Sequence, residues 1–142
     1  MIIEKEEPLS IYTDGASRGN PGPASYGFVL VFEDEGMVHE DNGYIGKTTN
    51  NRAEYRAVIN ALEKAIDYHG GKVKVFSDSN LLIRQMRGEW RVKNPEIRKL
   101  YEITKERTDE FEEVSFNHVP RENRYVSMAD KLCNEKLDDE GH

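Results

Sequence analysis

The run Tyr26-Gly27-Phe28-Val29-Leu30-Val31-Phe32 constrains the chain more than any other stretch. It is rich in β-branched and aromatic residues, and both of its alternating sets are apolar. A strand built from it is buried on both faces. It therefore belongs to a sheet with packed layers on each side.

The patterns on either side fill in that sheet. Residues 10–13 read as the core of a first strand, with Asp14 at its mouth and a loop containing Gly15, Gly19, Pro21 and Gly22 beyond it. Such a loop lets backbone approach a ligand closely. Glu33-Asp34-Glu35-Gly36 is a turn, and residues 37–45 form a weaker third strand, which completes an antiparallel meander. A helix follows, with Asn51 as N-cap and Glu54 at the third helical position. Val58, Ala61, Leu62, Ala65 and Ile66 share its inner face, and Gly70-Gly71 ends it. Residues 72–78 alternate as a strand, and a short helix over 79–86 is broken at Gly88. Pro95 opens a further helix whose inner face is Ile97, Leu100, Tyr101 and Thr104, with Phe111 beyond. Residues 114–118 form the last strand. The last helix carries Met128, Leu132, Cys133 and Leu137 on one stripe, and residues 138–142 are expected to fray. The fold class is α/β: a mixed five-stranded sheet, three antiparallel strands then two more, with helices on both faces, in one domain over residues 1–142.

Composition narrows the function classes. The chain has 142 residues, 37% of them hydrophobic and 33% charged, with no run apolar enough to span a membrane. Its first residues are acidic and lack the basic and apolar regions of a signal peptide, so a cytoplasmic protein is expected. Cys133 is the only cysteine, which excludes an intrachain disulfide and a multi-cysteine zinc site. A formal charge of -7 argues mildly against nucleic-acid binding, since phosphate contacts need cations. Charge is segregated, however: Arg84, Arg87, Arg91, Lys93, Arg98 and Lys99 are opposed locally only by Glu89 and Glu96. These cations are either a phosphate-binding surface or a solvated helix face.

Four carboxylates stand at comparable element ends: Asp14 after the first strand, Asp78 after the fourth, Glu54 in the first turn of the first helix, and Asp130 near the start of the last. Each has a plain structural reading, as a turn former, a helix cap or a partner of the helix dipole. Gathered at one edge, they would repel unless cations intervened. Hard divalent cations such as Mg²⁺ favour such oxygen ligands. Two ions about 3.5–4 Å apart can activate water and stabilise the leaving oxygen of a phosphodiester.

Thr13-Asp14-Gly15-Ala16-Ser17-Arg18-Gly19-Asn20-Pro21-Gly22, Thr48-Thr49-Asn50-Asn51-Arg52-Ala53-Glu54, Ser77-Asp78-Ser79 and Ala129-Asp130-Lys131-Leu132 together resemble the type 1 ribonuclease H family, in motif order and over nearly the whole chain. The resemblance implies two-metal-ion hydrolysis of the RNA strand of an RNA–DNA hybrid, leaving 5′-phosphate and 3′-hydroxyl ends. It makes Asp14, Glu54, Asp78 and Asp130 the catalytic and metal-binding acids, with Mg²⁺ as cofactor and Mn²⁺ as a substitute. It brings Gly15, Ser17, Asn20, Thr49, Asn50, Asn51 and Asn80 to the substrate, the Asn50-Asn51 pair in the minor groove. A monomer with no obligate protein partner and no membrane association is expected. Residues 90–112 hold only one helix pattern, so the basic handle helix of many bacterial members is missing.

The last motif departs from the family. No histidine lies between Val119 and Asp130, and Arg121 or Glu122 is the candidate stand-in. His118 shares a strand face with Val114 and Phe116 and reads as structural. The usual Asn four residues before the last acid is Val126, while Asn123 lies seven before it, which leaves Glu122 and Glu135 as rivals of Asp130. Two other functions stay open: a catalytically weak hybrid-binding module, and a nuclease of the same fold acting on double-stranded RNA.

Overall fold

Residues 7–142, the part described by this computed structural model, run through β1 (Leu9–Ser17), β2 (Gly22–Phe32), β3 (Gly36–Thr48), α1 (Asn50–Ala65), β4 (Lys72–Ser77), α2 (Asn80–Met86), α3 (Pro95–Thr108), β5 (Glu113–His118) and α4 (Arg124–Asp139). The sheet order is β3-β2-β1-β4-β5. β1–β2 and β2–β3 pair antiparallel, β1–β4 and β4–β5 parallel. Parallel neighbours need long crossovers. α1 supplies the crossover from β3 to β4, and α2 with α3 that from β4 to β5. Between Trp90 and Glu112 the chain forms one helix, α3, as the sequence predicts.

β2 is buried on both faces. Phe28, Leu30 and Phe32 join Leu9 and Ile11 of β1 in a core with Tyr55, Val58 and Leu62 of α1. Val29 and Val31 point the other way and are equally buried, on the side covered by α4. On that side Tyr12 stacks on Phe76 at 4.7 Å and meets Tyr125 of α4 at 4.9 Å. Among the described residues no helix is long and apolar enough to cross a membrane.

Two strand glycines set how closely the helices approach. A Cβ at Gly15 would lie 2.3 Å from the backbone carbon of Ala53, so α1 sits directly on β1 there. A Cβ at Gly27 would lie 2.4 Å from the Ala129 carbonyl oxygen, so α4 sits equally close on β2. Gly27 is the register partner of Asp14. Both contacts are with backbone, which cannot swing aside as a side chain can.

Several local expectations change. α1 is capped by Thr49, not Asn51. Thr49 leaves β3 in an extended conformation (φ -86, ψ 159), and its hydroxyl oxygen accepts from the Arg52 amide at 3.3 Å. The helix ends at Ala65 with Ile66 as cap, short of Gly70-Gly71, and Ile66 is exposed. In α4 the buried stripe is Val126, Ala129, Cys133 and Leu137, while Met128 and Leu132 are half-buried. The small Ala129 must face Gly27, and that fixes the helix rotation. α4 continues to Asp139, past the expected fraying point. Arg18 pairs with Asp138 at 2.8 Å, and Tyr44 stacks on His142 at 5.5 Å. His118 is exposed rather than packed, with Nε2 3.3 Å from the Asp78 carbonyl oxygen.

Replacing Gly27 with Ala should push α4 off the sheet. The expected cost is about 1–3 kcal/mol, the usual range for overpacking. Urea unfolding should show a lower midpoint with unchanged slope.

Candidate active site

The sheet register brings two of the acids side by side. Tyr12 of β1 is paired with Phe76 of the parallel strand β4. Asp14 and Asp78 each lie two residues further along, at equivalent heights on neighbouring strands. Asp14 is not at the mouth of its strand: β1 continues to Ser17 because β2 still pairs with it, whereas β4 stops at Ser77. The carboxylate therefore leaves the sheet where β1 outruns β4.

The caps that Glu54 and Asp78 could have supplied come from other residues. Thr49 caps α1, and Ser79 caps α2 by accepting from the Leu82 amide at 3.2 Å. Asn123 caps α4 by accepting from the amides of Tyr125 at 3.0 Å and Val126 at 3.1 Å. Asp130 stands in the second turn of α4, beyond the reach of the end dipole. One oxygen of Glu54 accepts from the Gly15 amide at 2.5 Å. The carboxylate is thus turned toward the sheet edge.

Ligand oxygens of Asp14, Glu54 and Asp78 all lie within 4.8 Å of one another. A cavity of about 400 Å³ opens over them, lined also by Ser17, Asn50, Arg121 and Asp130. Asp14 and Glu54 are only 8% and 5% exposed, so water does little to relieve their repulsion. Burial, then the charge of Glu54, holds the Asp14 carboxyl well above the usual carboxylate range. Burial raises Glu54 as well, against hydrogen bonds from Asp14 and the Gly15 amide that favour its charged form. Asp78 is raised by burial and partly offset by Arg121 and His118. The donor set is all oxygen, crowded and short of water, and a divalent cation suits it.

The remaining expected site residues fall in different places. Gly15 and Ser17 line the cavity, as does Asn50, whose backbone N–H donates to the Asn20 side-chain oxygen at 3.0 Å. Asn20 thereby ties the glycine loop to the start of α1. Asn51 is half-buried in the first turn. Asn80 is exposed outside the cavity, its amide oxygen accepting from Arg84 at 3.3 Å. Arg121 reaches the cavity, whereas Glu122 and Glu135 are exposed and outside its lining. The basic stretch is largely paired: Arg84 and Arg87 with Glu89 at 3.0 and 3.7 Å, Arg98 with Glu102 at 2.9 Å. Sequence reasoning missed a second set of cations. Lys47, Arg52 and Arg56 join Lys99 and Glu96 in lining a groove of about 390 Å³ beside α1. Its one signal in the sequence is the pair Arg52 and Arg56, four residues apart on a helix.

Residues 12–136 match the family described as reverse transcriptase-like. A ribonuclease HI of Halobacterium salinarum is 45% identical over 128 residues, covering 90% of this chain and 63% of that protein. The chain thus spans under two thirds of that relative, and 35% of mycobacterial relatives it matches at 42% identity. The crystal structure of RNase H1 from Halobacterium salinarum superposes with a TM-score of 0.89 at 44% identity, covering 93% of this chain and 98% of that one. LC11-RNase H1 in complex with an RNA/DNA hybrid superposes with a TM-score of 0.88 at 40% identity, covering 94% and 99%.

The raised carboxyls have a consequence for metal-free protein. The folded state keeps protons that the unfolded chain releases above about pH 4. Stability is therefore greatest below that pH and is lost as pH rises toward the raised values. Thermal melts in chelator should fall from about pH 5 to about pH 8, and divalent cation should reverse the fall. Asp14→Asn should melt higher than wild type in chelator and show a flatter pH dependence.

Proposed function

The chain belongs to the type 1 ribonuclease H family, and on that premise we propose that it hydrolyses the RNA strand of RNA–DNA hybrids, leaving 5′-phosphate and 3′-hydroxyl ends. The observation that carries this reading is the close set of Asp14, Glu54 and Asp78 oxygens, with Asp130 on the same cavity. The complex of LC11-RNase H1 with a hybrid supports the substrate class.

Asp14, Glu54, Asp78 and Asp130 would hold the divalent cations. Mg²⁺ fits the all-oxygen set best, and Mn²⁺ would substitute. When bound, these ions would supply Lewis-acid stabilisation and an activated water. The Gly15 amide, by holding one Glu54 oxygen, fixes the carboxylate beside Asp14 at the candidate metal site. Asn50 and Asn51 offer amides that donate and accept, which suits base edges and 2′-hydroxyls in a minor groove. Contact with the 2′-hydroxyl distinguishes the RNA strand from DNA. Gly15, Ser17, Asn20 and Thr49 lie around the same helix start and would border the strand. Lys47, Arg52 and Arg56 would meet phosphates, and salt should weaken binding accordingly. The proposal takes the described chain as one domain, supported by its single sheet.

An end-labelled hybrid, tested beside double-stranded RNA and DNA with and without Mg²⁺, checks the reading. Cutting only the hybrid's RNA strand, and only with metal, is the expected result. Binding without cutting under Mg²⁺ and Mn²⁺ would favour a hybrid-binding module, and cutting of double-stranded RNA would broaden the substrate class. Asp78→Asn should lower the rate by more than about a hundredfold, the upper end for loss of a mere supporting contact.

A further inference from the structure

Asp130 lines the cavity but stands outside the trio whose oxygens lie within 4.8 Å. Its side chain meets Asp14 by a hydrogen bond, and α4 carries a second support a turn later. The Asn134 side-chain amide donates to the Asp130 carbonyl oxygen at 3.0 Å and reaches one carboxylate oxygen at 3.4 Å. On its far side the Asn134 amide oxygen accepts from Arg18 at 3.3 Å. Arg18 comes from the end of the β1–β2 hairpin, four residues after Asp14. The same guanidinium pairs with Asp138 at 2.8 Å and donates to the carbonyls of Asn134 at 3.4 Å and of His142.

These contacts permit only one orientation of the Asn134 amide. Arginine can only donate, so the atom facing Arg18 must be the oxygen. A carboxylate and a carbonyl can only accept, so the atom facing Asp130 must be the nitrogen. A flipped amide would set oxygen against oxygen on one side and nitrogen against a cation on the other. We propose that Arg18 and Asn134 are positioning residues that orient the Asp130 carboxylate toward the candidate metal site, Arg18 acting through Asn134. The inference rests on the reading of Asp130 as a metal ligand given above. The plain alternative is that Arg18 merely fastens α4 to the hairpin. Its ion pair with Asp138 is exposed, at 34% and 68% of the two side chains, and such pairs contribute little stability.

The test uses wild type, Asn134→Ala, Arg18→Met and the double variant of the full chain. Two quantities are read: Mn²⁺ affinity by calorimetry, and the Mg²⁺ concentration giving half-maximal cleavage of the hybrid. Asn134→Ala should weaken Mn²⁺ binding about tenfold, the usual loss when a group supporting a metal ligand is removed. It should raise the Mg²⁺ requirement in proportion and leave KM for hybrid at saturating Mg²⁺ unchanged. Arg18→Met should give a smaller shift in the same direction, and the double variant should match Asn134→Ala alone. A merely structural Arg18 would lower melting temperature and leave metal affinity where it was. Unchanged Mn²⁺ affinity in Asn134→Ala overturns the relay. So does an Arg18→Met effect that multiplies in full with that of Asn134→Ala. Should Asn134→Ala fail to fold, Arg18→Met alone decides by whether Mn²⁺ affinity shifts. A wild type that binds Mn²⁺ but cuts no hybrid contradicts the proposed function, and the binding arm still decides the relay.

Discussion

Backbone touching backbone at Gly15 and Gly27 is the constraint on which the rest of the molecule depends. A helix normally rides on side chains, roughly 10 Å from the sheet it covers. At these two positions the sheet has no Cβ, and α1 and α4 come down onto it from opposite faces. Each helix brings an acid with it, Glu54 one residue after Ala53 and Asp130 one residue after Ala129. Asp14 lies between them, beside Gly15 in sequence and opposite Gly27 in register. The parallel strand β4 completes the set by delivering Asp78 to the same height.

Bringing the acids together is unfavourable without a cation. The core supplies the compensation at a distance: Leu9, Ile11, Phe28, Leu30, Tyr55 and Leu62 are buried beneath the site. Their transfer from water is each worth about 1.5–3 kcal/mol. Folding is thus driven from the closed end of the sheet, and the repulsive cluster is carried at its open edge. The hydrogen bond from the Gly15 amide to Glu54 is part of the same arrangement. It satisfies a carboxylate oxygen that is shielded from water and fixes which way the other faces.

Much of this was legible in the sequence. The double-sided burial of β2, the strand and helix order, Pro95 at the start of α3 and the four acids were read from local pattern and motif. Information that depends on distant chain was not. β1 runs past Asp14 because β2 is there to pair with it, and nothing in residues 10–17 alone announces that. Asn51 looked like a cap because Asn is favoured there, yet Thr49 is the residue in extended backbone at the end of β3. The stripe of α4 was misread because large apolar residues were ranked above Ala129, whose smallness is what the sheet requires. Gly27 carried the missing signal, since glycine inside a strand often marks a close backbone approach. In the basic stretch Glu89 was counted once, yet the fold lets it pair with both Arg84 and Arg87, and Glu102, outside the stretch, pairs with Arg98.

The central claim is that this crowding forms a divalent-cation site, with the Asp14–Glu54 pair holding a proton until metal arrives. Calorimetric titration of Mn²⁺ near pH 7, in two buffers of different ionisation enthalpy, measures the protons released on binding. Deprotonation accompanies metal binding when ligands start protonated. The expected result is a buffer-dependent heat that reports proton release and disappears in Asp14→Asn. Tight binding with no proton release, or release that persists without the Asp14 carboxylate, would contradict it.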